Sequence, residues 1–324
     1  MLTPYQGLTP DLILTAIEEL GLHADGRLLE LNSYENRVYQ VGIDAEQPVV
    51  AKFYRPERWS DAAILEEHAF SQTLADDEVP VIAPLLFHGR SLHACRGFRY
   101  AIYPRRGGRA PELDRFTVLE RIGRFLGRLH AVGARQAFVH RPSISIERFG
   151  EQAVATVRAM ELVPTHLLDA WQTTVADVLQ RVRAVWRRAG SPAWIRLHGD
   201  CHPGNILWTD AGPHFVDLDD AVSGPAIQDL WMLLSGDRAD MTAQLDTVLC
   251  GYADFRDFDR RELHLIEPLR TLRMLHHSAW LATRWSDPAF PRAFPWFAEN
   301  RYWETQVLAL REQAALLDEP PLQV

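Results

Sequence analysis

The sequence predicts an α+β fold in two lobes: a small lobe on an antiparallel sheet over residues 1–103, a hinge at 104–109, and a larger, mainly helical lobe over 110–324. Three observations carry this reading. Short apolar-rich runs crowd the first hundred residues, long amphipathic stretches of helical period begin at Phe116, and a Gly/Pro turn divides a hairpin pattern between Ile206 and Leu218. A chain of 324 residues with 47% hydrophobic side chains can bury a full core for one large domain or two lobes.

The elements follow in order. Residues 9–20 read as a helix, with Thr9 as its cap and Leu12, Leu14, Ile17 and Leu20 as a rough apolar stripe. Residues 28–31, 38–42 and 49–54 read as three short strands. Residues 61–74 read as a helix that turns Ile64, Phe70 and Leu74 inward, and 97–103 as a further strand running into Pro104-Arg105-Arg106-Gly107-Gly108-Arg109. In the larger lobe, 116–131 repeats Val118, Leu119, Ile122, Phe125, Leu126 and Leu129 at helical spacing, and 167–188 continues the pattern after the break at Pro164. Residues 194–197 predict a strand, 206–208 and 214–218 a hairpin, and 225–234 a helix opening on Pro225 at a permitted first-turn position.

The chemistry concentrates in Leu197-His198-Gly199-Asp200-Cys201-His202-Pro203-Gly204-Asn205 and in Phe215-Val216-Asp217-Leu218-Asp219-Asp220. Asp200 and Asn205 are five positions apart, the spacing of the catalytic loop H-R-D-x-x-x-x-N of kinases, with Gly199 in place of the arginine. Asp200, ionised at neutral pH, can orient a substrate hydroxyl and take its proton as the base. Asn205 and Asp217 offer hard oxygens suited to Mg²⁺, and a hairpin brings them side by side. Lys52, at the end of the Val49-Val50-Ala51 run, matches the lysine that pairs nucleotide phosphates with a helix glutamate. Glu66 and Glu67 compete for that partnership; Glu67, three residues before Phe70 and seven before Leu74, falls on the inward side and is the choice. The turn Asn32-Ser33-Tyr34-Glu35-Asn36 has no glycine, and Ser33 with its backbone amides is the candidate contact to nucleotide phosphates.

The Asp200 segment resembles the H-G-D-x-H-x-x-N motif of the aminoglycoside phosphotransferase and choline kinase superfamily. Asn32 to Tyr39, Lys52 to Trp59, Gly224-Pro225-Ala226, Gln228 to Leu234 and the closing Glu319-Pro320-Pro321-Leu322-Gln323 are similar to a bacterial group of serine/threonine protein kinases within it. The similarity runs from about residue 10 to the end. It implies a protein-kinase-like fold, Mg²⁺ and ATP as cofactors, catalytic roles for Asp200 and Asp217, and a cytoplasmic enzyme of a stress response that phosphorylates protein serine or threonine. It also implies that Asp229 holds the catalytic-loop backbone. The alternative acceptor is a small molecule: an amino sugar, a choline-like alcohol or a related metabolite.

Composition narrows the remaining classes. A net charge of −9 with no long basic run argues against nucleic acid as a partner. Cys95, Cys201 and Cys250 are too few and too scattered for a disulfide framework or a zinc ribbon. No apolar run approaches the length of a membrane span, so a cytoplasmic monomer is expected. His198 and His202 read as loop scaffold, since Mg²⁺ prefers oxygen, and Cys201 reads as a buried, inert thiol ahead of a redox-sensitive one. Asp219 is left between a second metal contact and a loop brace. The aromatic cluster containing Trp280, Trp285, Phe290, Phe294, Trp296, Phe297 and Trp303 is expected to flank the acceptor groove.

Overall fold

The computed structural model describes residues 4–324. It begins with α1 (Pro10–Glu18), where Thr9 accepts a hydrogen bond from the Leu12 amide and Ile13, Ala16 and Ile17 form the buried face. Strands β1 (Ala24–Leu31), β2 (Arg37–Ile43) and β3 (Val49–Phe53) follow, then α2 (Asp61–Asp76), β4 (His93–Cys95) and β5 (Phe98–Pro104). The five strands form one antiparallel sheet in the order β1-β2-β3-β5-β4. Lys52 lies on central β3, opposite Val38 on one side and Ala101 on the other. Strand β4 is absent from the sequence reading because three residues, His-Ala-Cys, are too short to display a period.

The helical part holds α3 (Phe116–Gly133), a π-helical turn at Glu147–Gln152, α4 (Ala153–Ala159) and α5 (Thr165–Ala189). Short strands β6 (Ile195–Leu197), β7 (Ile206–Thr209), β8 (Gly212–Phe215) and β9 (Val222–Gly224) come next, followed by α6 (Ile227–Trp231), α7 (Arg238–Tyr252), α8 (Ile266–Arg284), α9 (Ala289–Ala293) and α10 (Asn300–Leu316). β7 and β8 make the expected hairpin, while β6 pairs with β9. Several boundaries move, two of them beside the loop that follows β6. The second hairpin strand ends at Phe215 because Asp217 adopts a left-handed backbone, φ 60°, and Leu218–Asp220 wind into a 3₁₀ turn. Helix α6 is shorter than predicted, and Pro225 precedes its N-cap, Ala226, instead of occupying the first turn.

Helix α2 belongs to both parts of the molecule. Ile64 packs with Tyr54 and Ala101 beneath the sheet, whereas Phe70 and Leu74 enter the large core with Leu119, Leu126 and Phe215. The chain leaving α2 then runs along the hairpin: the Phe215 amide donates to the Pro80 carbonyl at 2.7 Å and the Ile82 amide donates to the Phe215 carbonyl at 3.1 Å. The helix predicted to face the sheet therefore also anchors the sheet to the hairpin. A second core joins α4, α5, α8 and α10 around Trp171, Phe297 and Trp303.

Helices α3 and α7 pack at backbone contact, and glycine makes that possible. A Cβ on Gly123 would stand 2.0 Å from the Val248 carbonyl oxygen, and one on Gly251 would stand 2.0 Å from that of Glu120. Gly251→Ala gains about 1 kcal/mol of helix propensity, but forcing the helices apart costs about 1–3 kcal/mol and strips packing along the whole contact. A net loss of about 1 kcal/mol is expected as a lower urea midpoint with an unchanged m-value; a midpoint equal to wild type would show that the pair separates freely.

Candidate active site

The loop after β6 is held by one carboxylate. Asp229, on α6, is fully buried and accepts hydrogen bonds from the His198 amide at 2.9 Å, the Gly199 amide at 2.8 Å and Nε2 of His130 at 3.0 Å. Nδ1 of His130 in turn accepts from the Tyr252 hydroxyl at 3.0 Å, which ties the arrangement to α7. Gly199 has φ +86°, and a Cβ there would meet the Asp220 carbonyl at 2.2 Å. This conformation and crowding account for glycine where the kinase pattern has arginine. His198 donates from Nε2 to the Val216 carbonyl at 2.9 Å, so its ring braces the hairpin.

Asp200, Asn205 and Asp217 come together on this frame. The Asn205 side-chain amide donates to the Asp200 carbonyl at 2.9 Å, which leaves its Oδ1 as a free acceptor. The Val216 amide donates to the Asn205 carbonyl at 3.0 Å, placing Asp217 beside it. Among the described residues, no cluster of three or more His, Cys, Asp and Glu side chains forms a metal cage. An amide oxygen and a half-exposed carboxylate suit a hard cation that takes its remaining ligands from phosphates and water.

Asp200 faces Arg273 of α8, whose Nη1 donates to Oδ1 at 2.6 Å; Nε2 of His202 lies 3.6 Å from Oδ2. Burial works to raise the carboxyl, but Arg273 and His202 outweigh it and hold the group below the usual aspartate range. Cys201 is fully buried; burial first, then Asp229 and Asp200, push its thiol well above the ordinary value. It is a protonated, enclosed side chain.

Lys52 reaches the same place from the sheet. Its Nζ donates to Oδ1 of Asp217 at 2.8 Å and lies 3.4 Å from Oδ1 of Asp219. Burial opposes its charge, yet Asp217 and Asp219 override burial and raise it well above the ordinary lysine value. Glu67 is buried nearby, its carboxyl raised to about 7 by burial against the pull of Lys52. The ion pairs of Lys52 go to the two aspartates and none goes to Glu67. Glu66 turns elsewhere and accepts from the Val139, His140 and Arg141 amides at 2.6, 2.7 and 2.8 Å. Ser33 lies in the bend between β1 and β2, and its side chain makes no hydrogen bond among the described residues.

Arg58 and Arg273 escaped the sequence reading, which leaves Asp219 between a second metal contact and a loop brace. Asp219 is buried, accepts from the Asn36 side chain at 3.0 Å and pairs with Arg58, which places it in a brace between sheet and hairpin. Arg58 falls inside the Lys52-to-Trp59 segment, so its position was marked; Arg273 lies seventy-three residues beyond Asp200 on an amphipathic helix, with no local signal. Beside Asp200 opens a cleft of about 740 Å³ lined by the β1–β2 bend, the π-helical turn and α8. Trp280 and Phe294 line it, and the Trp280 indole donates to Glu35 at 2.6 Å. Trp296 stays outside, packed on Phe294 and Tyr302, while Trp285, Phe297 and Trp303 pack against one another in the core. The aromatic cluster is thus mainly a packing layer with one edge in the cleft.

A lysine presented from a five-stranded sheet toward an aspartate-asparagine loop and a hairpin aspartate defines a kinase-type phosphotransferase. The chain belongs to the phosphotransferase enzyme family, which matches residues 27–266, and is an ATP-dependent phosphotransferase with the protein-kinase-like fold. It is 48% identical over 320 residues to stress response kinase A of Escherichia coli strain K12, covering 99% of this chain and 97% of that one. The same identity and coverage relate it to the serine/threonine protein kinase RdoA of Salmonella typhimurium. Among solved structures, an amicoumacin kinase bound to AMP-PNP and Ca²⁺ superposes with a TM-score of 0.71 at 19% identity, over 97% of this chain and 95% of that one.

The frame under the loop includes a titrating group. Glu262 is buried and accepts from the Ile227 amide at 2.9 Å, fixing the start of the helix that carries Asp229. Burial raises its carboxyl to about 7, against the opposing pull of that amide. The folded value lies above the unfolded value, so its contribution to stability is complete below the unfolded pKa of about 4.3 and is lost as pH rises through the folded one. The loss amounts to at most about 4 kcal/mol, at about 1.4 kcal/mol per pH unit. Glu262→Gln keeps an acceptor for Ile227 and removes the charge; urea unfolding between about pH 5 and pH 7.5 should show a flatter stability profile than wild type. Identical slopes in the two proteins would locate the pH dependence elsewhere.

Proposed function

We propose that this chain transfers the γ-phosphoryl group of Mg²⁺-ATP to a serine or threonine hydroxyl of a protein, acting as a cytoplasmic monomer. The observation that carries the chemistry is the convergence of Asp200, Asn205, Asp217 and Lys52 around a loop fixed by Asp229, with Asp200 facing the cleft. Mg²⁺-ATP supplies the phosphoryl donor and neutralises charge on the transferring group. Asn205 and Asp217 hold the cation through their oxygens, and Lys52 takes the nucleotide phosphates. Lys52 exchanges its contact with Asp217 for those phosphates, with Glu67 as the buried carboxyl behind it and Ser33 as a donor from the β1–β2 bend.

Asp200 orients the acceptor hydroxyl and receives its proton late, as the bond to phosphorus forms. A carboxylate held below its usual range is a weak base, which suits a loose transition state that needs alignment more than early deprotonation. Arg273 yields part of its contact with Oδ1 as the hydroxyl arrives. The protein acceptor is favoured by near-complete alignment with a relative named as a serine/threonine protein kinase. A small-molecule acceptor is the second reading, favoured by the fold shared with the amicoumacin kinase.

Labelled Mg²⁺-ATP offered to an unstructured protein and, in parallel, to amino sugars and amino alcohols separates the two. Protein labelling on serine or threonine is expected, with Asp200→Ala lowering the rate by about 10²–10⁴-fold while leaving ATP binding intact. Labelling confined to the metabolites would replace the protein acceptor by the second reading. Activity retained in Asp200→Ala would remove that residue from the chemistry.

A further inference from the structure

The charges lining the acceptor cleft are already paired, with one exception. Glu35 is matched by Arg284 at 2.6 Å, Asp220 by Arg58 at 2.5 Å and Asp200 by Arg273 at 2.6 Å. The fourth arginine of the cleft, Arg148, is exposed and has no acidic partner among the described residues. An ammonium group entering the cleft finds every carboxylate neutralised by a guanidinium, whereas an anion finds Arg148 and the remaining donors of Arg273.

The placement of Arg148 is built into the fold. It sits in the π-helical turn Glu147–Gln152, whose widened winding puts Arg148, Phe149 and Gln152 into the cleft wall. Phe149 packs on the His276 ring at 4.6 Å, which ties the turn to α8, the helix that carries Arg273. The electrostatic consequence is visible at His276, whose pKa falls to about 4 through burial and then through Arg148, Arg284, Arg273 and Arg58. The imidazole stays neutral in a field that already favours negative charge.

We infer that Arg148 is a specificity-determining residue that docks a carboxylate side chain of the acceptor, so that this enzyme prefers serine or threonine embedded in an acidic segment of polypeptide. The inference rests on the protein-acceptor reading above and narrows it to a substrate class. Arg148 acts on acceptor binding: among the described residues it forms no ion pair with Asp200 or with the aspartates that hold Lys52.

Two peptides test it: one with a single threonine between glutamates, and the same peptide with lysines in their place. Wild type is expected to use the glutamate peptide with kcat/KM at least about tenfold higher, the effect of one charge-assisted contact. Arg148→Glu should erase or invert that preference through KM, with kcat and the KM for ATP near wild type, and Arg148→Lys should restore most of it. Equal use of the two peptides by wild type, a preference for the lysine peptide, or an equal loss on both peptides in Arg148→Glu would overturn the inference while leaving the protein-kinase reading intact. A rise in the KM for ATP in Arg148→Glu would assign the residue to the nucleotide and overturn it as well. Labelling of neither peptide, with the ATP site intact, would instead remove the protein-acceptor reading and the acidic preference together.

Discussion

The active-site loop depends on a buried carboxylate having to collect donors. Asp229 has no access to solvent, and a carboxylate in that position is tolerable only if hydrogen bonds replace its hydration. It takes two consecutive backbone amides from the end of β6 and an imidazole from α3, so three elements distant in sequence are fixed to one point. The amides come from the two residues before Asp200. Any rotation of the loop that redirected Asp200 would strip donors from a charge buried in a low-dielectric surrounding, where each lost hydrogen bond is most expensive. Rigidity at the chemical centre is thus a by-product of burial beneath it.

A second set of charges fixes the sheet against the helical part. Asp219 gathers Asn36 and Arg58 from the sheet side together with Lys52, and Glu35 at the tip of the β1–β2 bend is matched by Arg284 and Trp280 from α8. These groups come from both sides of the cleft, so each is desolvated only when the two parts are together and each then needs the other. The same geometry that orders the cleft also sets what a substrate must displace: Lys52 is engaged by Asp217, and Asp200 by Arg273. In the proposed reaction Lys52 exchanges Asp217 for phosphates of the same sign, while Arg273 gives up only part of its contact with Asp200 to a neutral hydroxyl, which keeps both ions compensated.

The fold and the loop were legible because both are written locally. Asp200 and Asn205 sit five apart on one loop, Thr9 caps α1 as a local signal says it should, and helical phase marked Glu67 as the inward glutamate, although the ion pairs of Lys52 go to Asp217 and Asp219. Where the reading stopped, the deciding contact was tertiary. The chain bends at Asp217 under hydrogen bonds and packing from neighbouring elements, so a strand pattern running to Leu218 was cut at Phe215. The inward face of α2 mixes Ile64, Phe70 and Leu74 with the buried Glu67, His68 and Ser71, and nothing in its period says that Phe70 and Leu74 serve a different core from Ile64. Arg273 and Arg148 are surface-type residues on amphipathic or irregular segments, identifiable only once α8 and the π-helical turn are folded against the loop.

Cys201 occupies the position next to Asp200, yet its sulfur is buried in the core and its thiol is held well above the ordinary value. A thiol without access or thiolate character is poor prey for peroxide or for electrophiles. The loop therefore carries a cysteine while remaining chemically insulated at that atom, and a covalent inhibitor aimed at an active-site thiol would find no reactive handle in it.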